Sequence, residues 1–478
     1  MSYAQKISVF DEIRIKPLQI GKRLISGTVS IKSGDLLKEY RIIFSYSDEI
    51  NASENLAGLI LTMPVINFTL FTKRLILDFP VSDLDLRNVR ELVRINNREV
   101  FINKLLRRRY EFFKKEYLPE ESDITAENID GITEVTSTGT YTDEAHTGTG
   151  NNSVAVLSSG GKESLLSYGI LRETGAETHA FYFNESGSHW FTAKTAFHYY
   201  SRNFENVHKV WSNVDRFYRF CLRNLPIIDQ ASIRKKTDTY PLQLFIFPVY
   251  IMSMIPVVLK YGISNAVLGD EFDDPREMTD FRGFRHYYGI FDQSHDFNSM
   301  ISRYFRAKGI PLEIWSAVYP VSGSVVEKIL IQRYPDLFRL QRSCHSCRPV
   351  DGQMIPCGKC SKCLGIMMFT MAAGGDPKEI LYSDSEISNL GELVSRERMR
   401  LDTDELNLMK FRLGFIRDHF VPPEHVEGIH RLPDEETFFQ KIPGNFRDKI
   451  SNLIEQYSSG KFVMENGEWI RNDELKEQ

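Results

Sequence analysis

The sequence predicts an α/β protein built on a doubly wound, five-stranded parallel sheet, and three observations carry that expectation. From Ser153 onward, short apolar runs alternate with helical periodicity, giving strands at 153–158, 178–183, 207–212, 265–269 and 312–317 with helices between them. A buried strand, Val154 to Leu157, runs directly into the turn Ser158-Ser159-Gly160-Gly161, and an amphipathic helix starts near Lys162. Five of the six cysteines then fall within twenty residues, downstream of the fifth strand. Sheets of this kind bind ligands beyond the carboxyl ends of their strands, which is where the Gly-Gly turn sits.

The 478 residues exceed one ordinary core and imply several domains. Residues 1 to about 50 alternate apolar and polar, as in Ser26-Gly-Thr-Val-Ser-Ile-Lys32, which predicts about three antiparallel strands. Residues 54–117 change to a helical period that ends before Pro119. Together, 1–120 read as a small α+β domain. The Thr-, Gly- and acid-rich stretch 121–150 reads as a linker. Residues 151–343 form the α/β domain, including a long apolar helix at 241–260. The cysteine-rich segment follows at 344–375. The last part, 376–478, reads as a helical tail broken at Pro422-Pro423.

Apolar residues make up 42% and charged residues 26%, the balance of a globular domain rather than a disordered or fibrous chain. A formal net charge of −5 gives no general attraction to nucleic acid or to an anionic membrane. The basic run Lys104 to Lys115 has apolar residues at helical spacing and reads as a solvated helix face. The N-terminus shows no secretory pattern, and the longest apolar run, Phe245 to Leu259, is interrupted by Pro248 and Pro256 and too short to span a bilayer. A cytoplasmic protein is the expectation.

The turn after the first strand of the α/β domain is an anion cradle by its residue types. Gly160 and Gly161 allow close backbone approach, the hydroxyls of Ser159 and Ser164 converge, and a helix N-terminus favours a phosphate. It lacks the G-x-x-x-x-G-K-[ST] spacing of a Walker A loop. The cysteines Cys344, Cys347, Cys357, Cys360 and Cys363, in two consecutive C-x-x-C steps with an upstream partner, suit tetrahedral zinc. Four thiolates suffice, so either Cys344 or Cys347 is spare. A site closed by four sulfurs leaves no open position, so the zinc is structural. Cys221 reads as a core residue. Asp270 and Glu271, just after the fourth strand, suit Mg²⁺, which binds one or two carboxylates plus phosphate. An acidic loop capping a helix is the alternative for them.

Ser159-Gly160-Gly161-Lys162-Glu163-Ser164 resembles the PP-loop (S-G-G-x-D-S) of the ATP pyrophosphatase family, whose members cleave ATP to AMP and pyrophosphate. Together with Ser343-Cys344 and Cys357-Gly-Lys-Cys360-Ser-Lys-Cys363, it resembles the QueC-like branch, the 7-cyano-7-deazaguanine synthases, over roughly 153–375. The layout is also similar to the ATP-dependent UDP-MurNAc-L-Ala-L-Glu epimerases (MurL) and to enlarged QueC-like proteins of bacterial anti-phage islands. Where the epimerases carry N-E-R-S, this chain has Leu268-Gly-Asp-Glu-Phe-Asp-Asp274.

The resemblance implies a HUP-type sheet with a zinc knuckle and an AMP-forming ligase. The ligase would adenylate a small-molecule carboxylate, such as a 7-carboxy-7-deazaguanine, for amide or nitrile formation or for transfer to an amine on a protein partner. Within that frame ATP is held by Ser158, Ser159, Gly160, Gly161, Lys162, Glu163 and Ser164, with Ser159, Lys162, Glu163 and Ser164 in catalytic roles. Glu163 stands where the family has Asp. Asn184, with Glu185, His189 and Trp190, follows the second strand where such domains contact adenine or ribose. Cys344 is the fourth zinc ligand because it follows Ser343. The N-terminal domain is a candidate contact for the partner, and a nucleotide-binding scaffold without turnover is the competing class.

Overall fold

The computed structural model describes residues 2–143, 152–187, 189–233, 245–272, 277–344, 346–397, 399, 401–416 and 420–472. Nine strands precede residue 270: β1 (Glu12–Gly21), β2 (Leu24–Ser33), β3 (Leu36–Tyr46), β4 (Arg74–Val81), β5 (Glu134–Thr140), β6 (Ser153–Leu157), β7 (Glu177–Asn184), β8 (Val207–Ser212) and β9 (Asn265–Leu268). A hairpin, β10 (Met278–Phe281) with β11 (Phe284–His286), leads to β12 (Glu313–Ser316). The five expected parallel strands are β6, β7, β8, β9 and β12, in spatial order β12-β9-β6-β7-β8. The chain winds outward from β6 in both directions, so the switch point lies between β6 and β9.

Both faces of β6 and β9 are buried, which explains their continuous apolar runs, whereas β8 alternates between buried and half-buried residues. Val154 and Val156 of β6 enter one hydrophobic cluster, together with Leu165 and Leu166 of the helix Lys162–Glu173. Ala155, between them, enters the cluster on the opposite face, as the period of two requires.

The sheet has ten strands where five were expected. Phe44, Ser45 and Tyr46 of β3 pair antiparallel with Ser212, Trp211 and Val210 of β8, so the sheet continues through β3-β2-β1-β4-β5. The cluster that holds Ile13, Ile42 and Leu61 of the first hundred residues also holds Phe217, Ile251 and Ile301 of the later part. On the far side of the seam, His208 Nδ1 lies 3.0 Å from Asp48 Oδ2, and Tyr261 donates its hydroxyl proton to Asp48 Oδ1 at 2.9 Å.

Three more expectations need correction. The stretch read as a linker contains the short helix Ala126–Asp130 and β5, which pairs parallel with β4, so its Thr-rich core is an edge strand. The basic run continues the helix Asp83–Glu99 as a π-helical segment, Val100–Arg108, in which Arg107 and Arg108 are exposed as a solvated face requires, whereas Lys104 is buried. The C-terminal tail is not all helical. Its helices Thr403–Arg412 and Gly444–Glu455 pack with a three-stranded sheet of β15 (Ile429–Arg431), β16 (Lys461–Glu465) and β17 (Glu468–Arg471), numbered after a hairpin near the cysteines, β13 (Arg348–Val350) with β14 (Gln353–Ile355). Among the described residues no helix is long and apolar enough to cross a membrane.

Candidate functional site

The turn after β6 is fixed by contacts on every side. Ser158 donates its N–H to Phe181 O at 2.8 Å, extending the pairing with β7, and its hydroxyl turns back to Val156 O. Ser158 therefore belongs to the end of the sheet, just past β6, and it does not line the cavity described below. Gly160 has φ +80°, and a Cβ there would stand 2.5 Å from Thr192 O, so glycine is required twice over. Thr192 in turn donates its hydroxyl to Ser159 O at 3.2 Å. Gly161 is the N-cap of the helix Lys162–Glu173. Ser164 Oγ accepts from Ser159 N at 3.2 Å, lies 3.4 Å from Ser159 Oγ and donates to Gly161 O at 3.1 Å. The two serines expected to converge do so, beside a helical first turn whose N–H groups have no intrahelical acceptor.

These residues form one wall of a cavity of about 270 Å³. Ser159, Gly161, Lys162 and Glu163 line it from the loop, and Glu271 from the end of β9. Arg342 and Ser343 precede the first cysteine, and Lys362, Ile366 and Phe369 lie on the helix Ser361–Ala372. Lys162 is buried and directed inward. Its ammonium lies 2.5 Å from Glu163 Oε1 and 2.6 and 2.9 Å from the two oxygens of Glu271. Burial opposes the charge on Lys162, but the two carboxylates outweigh it and hold the pKa well above its ordinary value. Burial likewise opposes ionisation of Glu163, and the Lys162 ammonium prevails and lowers its pKa. The same Glu163 side chain packs so closely on β9 that a Cβ at Gly269 would stand 2.8 Å from its Cβ.

The two acids expected to share a cation are separated. Both oxygens of Glu271 take up the Lys162 ammonium, whereas Asp270 is buried outside the cavity and accepts from Asn298 Nδ2 at 2.7 Å. Burial pushes the Asp270 carboxyl up to about 7. Asn184 also lies outside the cavity, its Oδ1 accepting from Ser186 N at 2.9 Å in a tight turn. Glu185 is buried and accepts from Tyr250 Oη at 2.6 Å, with His189 Nδ1 3.2 Å away. Ser322 is the N-cap of the helix Gly323–Arg333, and Cys221 is a fully buried core residue.

The sulfurs of Cys344, Cys357, Cys360 and Cys363 lie within 4.8 Å of one another, and Cys347 is not among them. The closest pairs are Cys344–Cys360 at 3.9 Å and Cys357–Cys363 at 3.7 Å. A tetrahedron with ~2.3 Å zinc–sulfur bonds has edges of about 3.8 Å, so the four thiols have the spacing of a single tetrahedral ion. A disulfide, at ~2.05 Å, does not fit these distances. Cys357 N–H points at Cys344 Sγ at 3.4 Å. Gly358, with φ +72°, fits against Glu386, where a Cβ would overlap the carboxylate at 1.8 Å. The four cysteines can hold a metal ion, with zinc the compatible choice. They also anchor the cavity wall, because Arg342 and Ser343 lead into Cys344 and the helix carrying Lys362 begins around Cys360 and Cys363.

Sequence reasoning missed Thr192, Arg342, Ser343 and Lys362. Ser343 and Lys362 adjoin cysteine ligands and Arg342 stands two residues from one, which is the signal that points to them. No protein-family model matches the chain, and none of the curated proteins matches it.

Proposed function

We propose that this protein is an ATP-dependent, AMP-forming ligase of the PP-loop type on a HUP-type sheet, close to the QueC-like branch. It adenylates a carboxylate of the 7-carboxy-7-deazaguanine kind and hands the acyl group to ammonia or to an amine on a partner. One observation carries the reading: the Ser159–Ser164 loop, with its paired hydroxyls and a first helical turn that no side chain caps, opens a cavity at the β6/β9 switch point. Attack of the carboxylate oxygen on the α-phosphorus forms an acyl adenylate and expels pyrophosphate. The chain's task is to hold the leaving pyrophosphate and offset its charge. Ser159, Gly161 and Ser164 serve as donors. Lys162, Lys362 and Arg342 are the cations at the cavity wall. Mg²⁺ would arrive with the phosphates and meet Glu163 and Glu271, the carboxylates that line the cavity, in exchange for their bond to Lys162. A zinc ion on the four thiolates would be structural.

The test is incubation with [α-³²P]ATP, Mg²⁺ and candidate acids. The expected result is AMP formed only with 7-carboxy-7-deazaguanine. AMP formed only with UDP-MurNAc-L-Ala-L-Glu would make the chain an epimerase of the MurL kind, and ATP binding without AMP would leave a scaffold. Ser159→Ala with Ser164→Ala should reduce turnover by about 10²–10³-fold, the usual loss on removing oxyanion donors, with the melting temperature unchanged.

A further inference from the structure

A second cavity, about 480 Å³, lies between the helix Trp190–Asn203 and the β13–β14 hairpin of the cysteine segment. Its volume lies within the ~300–1,000 Å³ of small-molecule sites. Lys194, His198 and Arg202 are spaced four residues apart and so line one face of the helix, ~6 Å from one to the next. Arg339 and Arg342 line the opposite side. Glu379 is the one acid of the lining, and Arg339 holds it at 2.9 Å. Among the described residues no carboxylate pairs with Lys194 or Arg202.

Arg342 makes this more than a basic patch. It is only 6% exposed. Its Nε donates to Met354 O at 2.8 Å, and its Nη1 to Arg339 O at 3.2 Å and Gln341 O at 2.6 Å. Its Nη2 donates to nothing among the described residues, and no carboxylate offsets its charge. A buried guanidinium without a counter-ion is costly, and planar oxyanions are its natural partners. Arg342 also lines the phosphate-loop cavity, so one side chain is common to both walls. Burial, together with the charges of Lys194, Arg202 and Lys209, lowers the pKa of His198, in keeping with a positive field at that face.

We propose that this groove is a second phosphate-binding site, which takes the phosphate groups of a ligand held next to the phosphate loop. The proposal shares Arg342 with the adenylation reading and otherwise rests on Lys194, Arg202 and Arg339, outside the loop, so the two can fail separately.

The test is equilibrium binding to the full chain at 50 mM salt, with tripolyphosphate and a single-stranded RNA dodecamer as the two probes. Lys194→Ala with Arg202→Ala should weaken binding to the groove by at least about tenfold and, for the single-stranded dodecamer, reduce the salt slope by about 1.4. Lys22→Ala with Arg23→Ala, which removes the same charge from the exposed β1–β2 turn, should leave both probes unaffected. Ser159→Ala with Ser164→Ala should leave dodecamer binding intact. Tighter binding of tripolyphosphate per phosphate would assign the groove to a small phosphorylated molecule, and tighter binding of the dodecamer to a nucleic-acid strand. Absence of binding by both probes, a loss below tenfold in the groove variant, or an equal loss in the charge-matched control would overturn the proposal.

Discussion

Replacing Lys162 by Met tests whether the ion cluster beneath the phosphate loop stabilises the fold. Met retains most of the side-chain volume and its contact with Phe369, whose ring centroid lies 5.8 Å from the ammonium. It leaves Glu163 and Glu271 without the ammonium that both of them bond, with side chains only 27% and 17% exposed. Removing one partner of a buried ion pair costs ~3–5 kcal/mol, and the partial exposure of the acids places this case near 3 kcal/mol. At ~2.1 cal/mol/K per residue, cooperative unfolding of 478 residues carries about 1 kcal/mol/K, so the melting temperature should fall by about 3 °C at pH 7.5. The sign of the pH dependence follows from the shifts. In the native chain the Lys162 pKa is raised, so its contribution is complete below the unfolded lysine value and is lost only in strong alkali. The Glu163 pKa is lowered, so its contribution is complete above the unfolded value of ~4.5 and is lost only in acid. Between pH 5 and 9 the native cluster is therefore flat. In Lys162→Met the Glu163 carboxyl loses the cation that holds it down, so protonation relieves the variant and the gap to wild type narrows toward pH 5. Scanning fluorimetry at pH 5.0 and 7.5 measures both effects, and Glu271→Gln added to Lys162→Met should recover more than half of the loss. A fall of less than 1 °C at pH 7.5, or an equal gap at both pH values, would refute the reasoning.

Gly160→Ala combines a positive φ with a Cβ 2.5 Å from Thr192 O, a strain of ~1–3 kcal/mol or a displaced loop. It should abolish AMP formation while metal content and far-UV circular dichroism stay at wild-type levels. Cys344→Ser should lower metal content measured by mass spectrometry from one ion per chain to none, whereas Cys347→Ser should retain the ion, since only Cys344 lies in the four-sulfur group. Asp48→Asn should weaken the seam between β3 and β8. Burial opposes ionisation of Asp48, but the bond to His208 prevails and brings its pKa to about 2. A lowered carboxyl pKa stabilises above the unfolded value and ceases to do so as pH falls toward 2, so the gap in melting temperature should be full at pH 7 and smaller at pH 3.

The parallel strands β6 and β9 were legible because burial on both faces writes them as unbroken apolar runs, and β6, with Val154, Ala155 and Val156 all buried, is the clearer. The loop and the metal ligands were legible because each is a local pattern of residue types. What joins strands far apart in sequence was not. The alternation in Tyr40 to Tyr46 announces a strand with one buried face, yet nothing in it says that the free edge meets β8 some 165 residues later. The Lys162–Glu271 bond has the same character, since its partners are 109 residues apart. Other misses had a local signal. Asn466-Gly467, with φ +50° and +86°, closes the β16–β17 hairpin, and Asp351-Gly352, with φ +49° and +80°, closes β13–β14. Both are the dipeptides that favour the tight turn whose twist matches the flanking strands.

The short segment 341–343 ties the four-cysteine cluster to the Gly160-Gly161 turn. Arg342 donates its backbone N–H to Gly160 O at 2.9 Å, so the strained glycine is held from the cysteine side as well as by Thr192. The Arg342 side chain forms a wall of both cavities and takes three backbone carbonyls as acceptors, one of them on β14 of the hairpin between Cys347 and Cys357. Two residues later comes Cys344, whose sulfur is fixed against Cys357 and Cys360. A loop of this length has little apolar surface of its own with which to offset the entropy of ordering it. A metal ion on four thiolates supplies that constraint without an extended core. The four cysteines, distant from the Gly160-Gly161 turn in sequence, thereby set the position of Arg342, whose backbone N–H holds that turn.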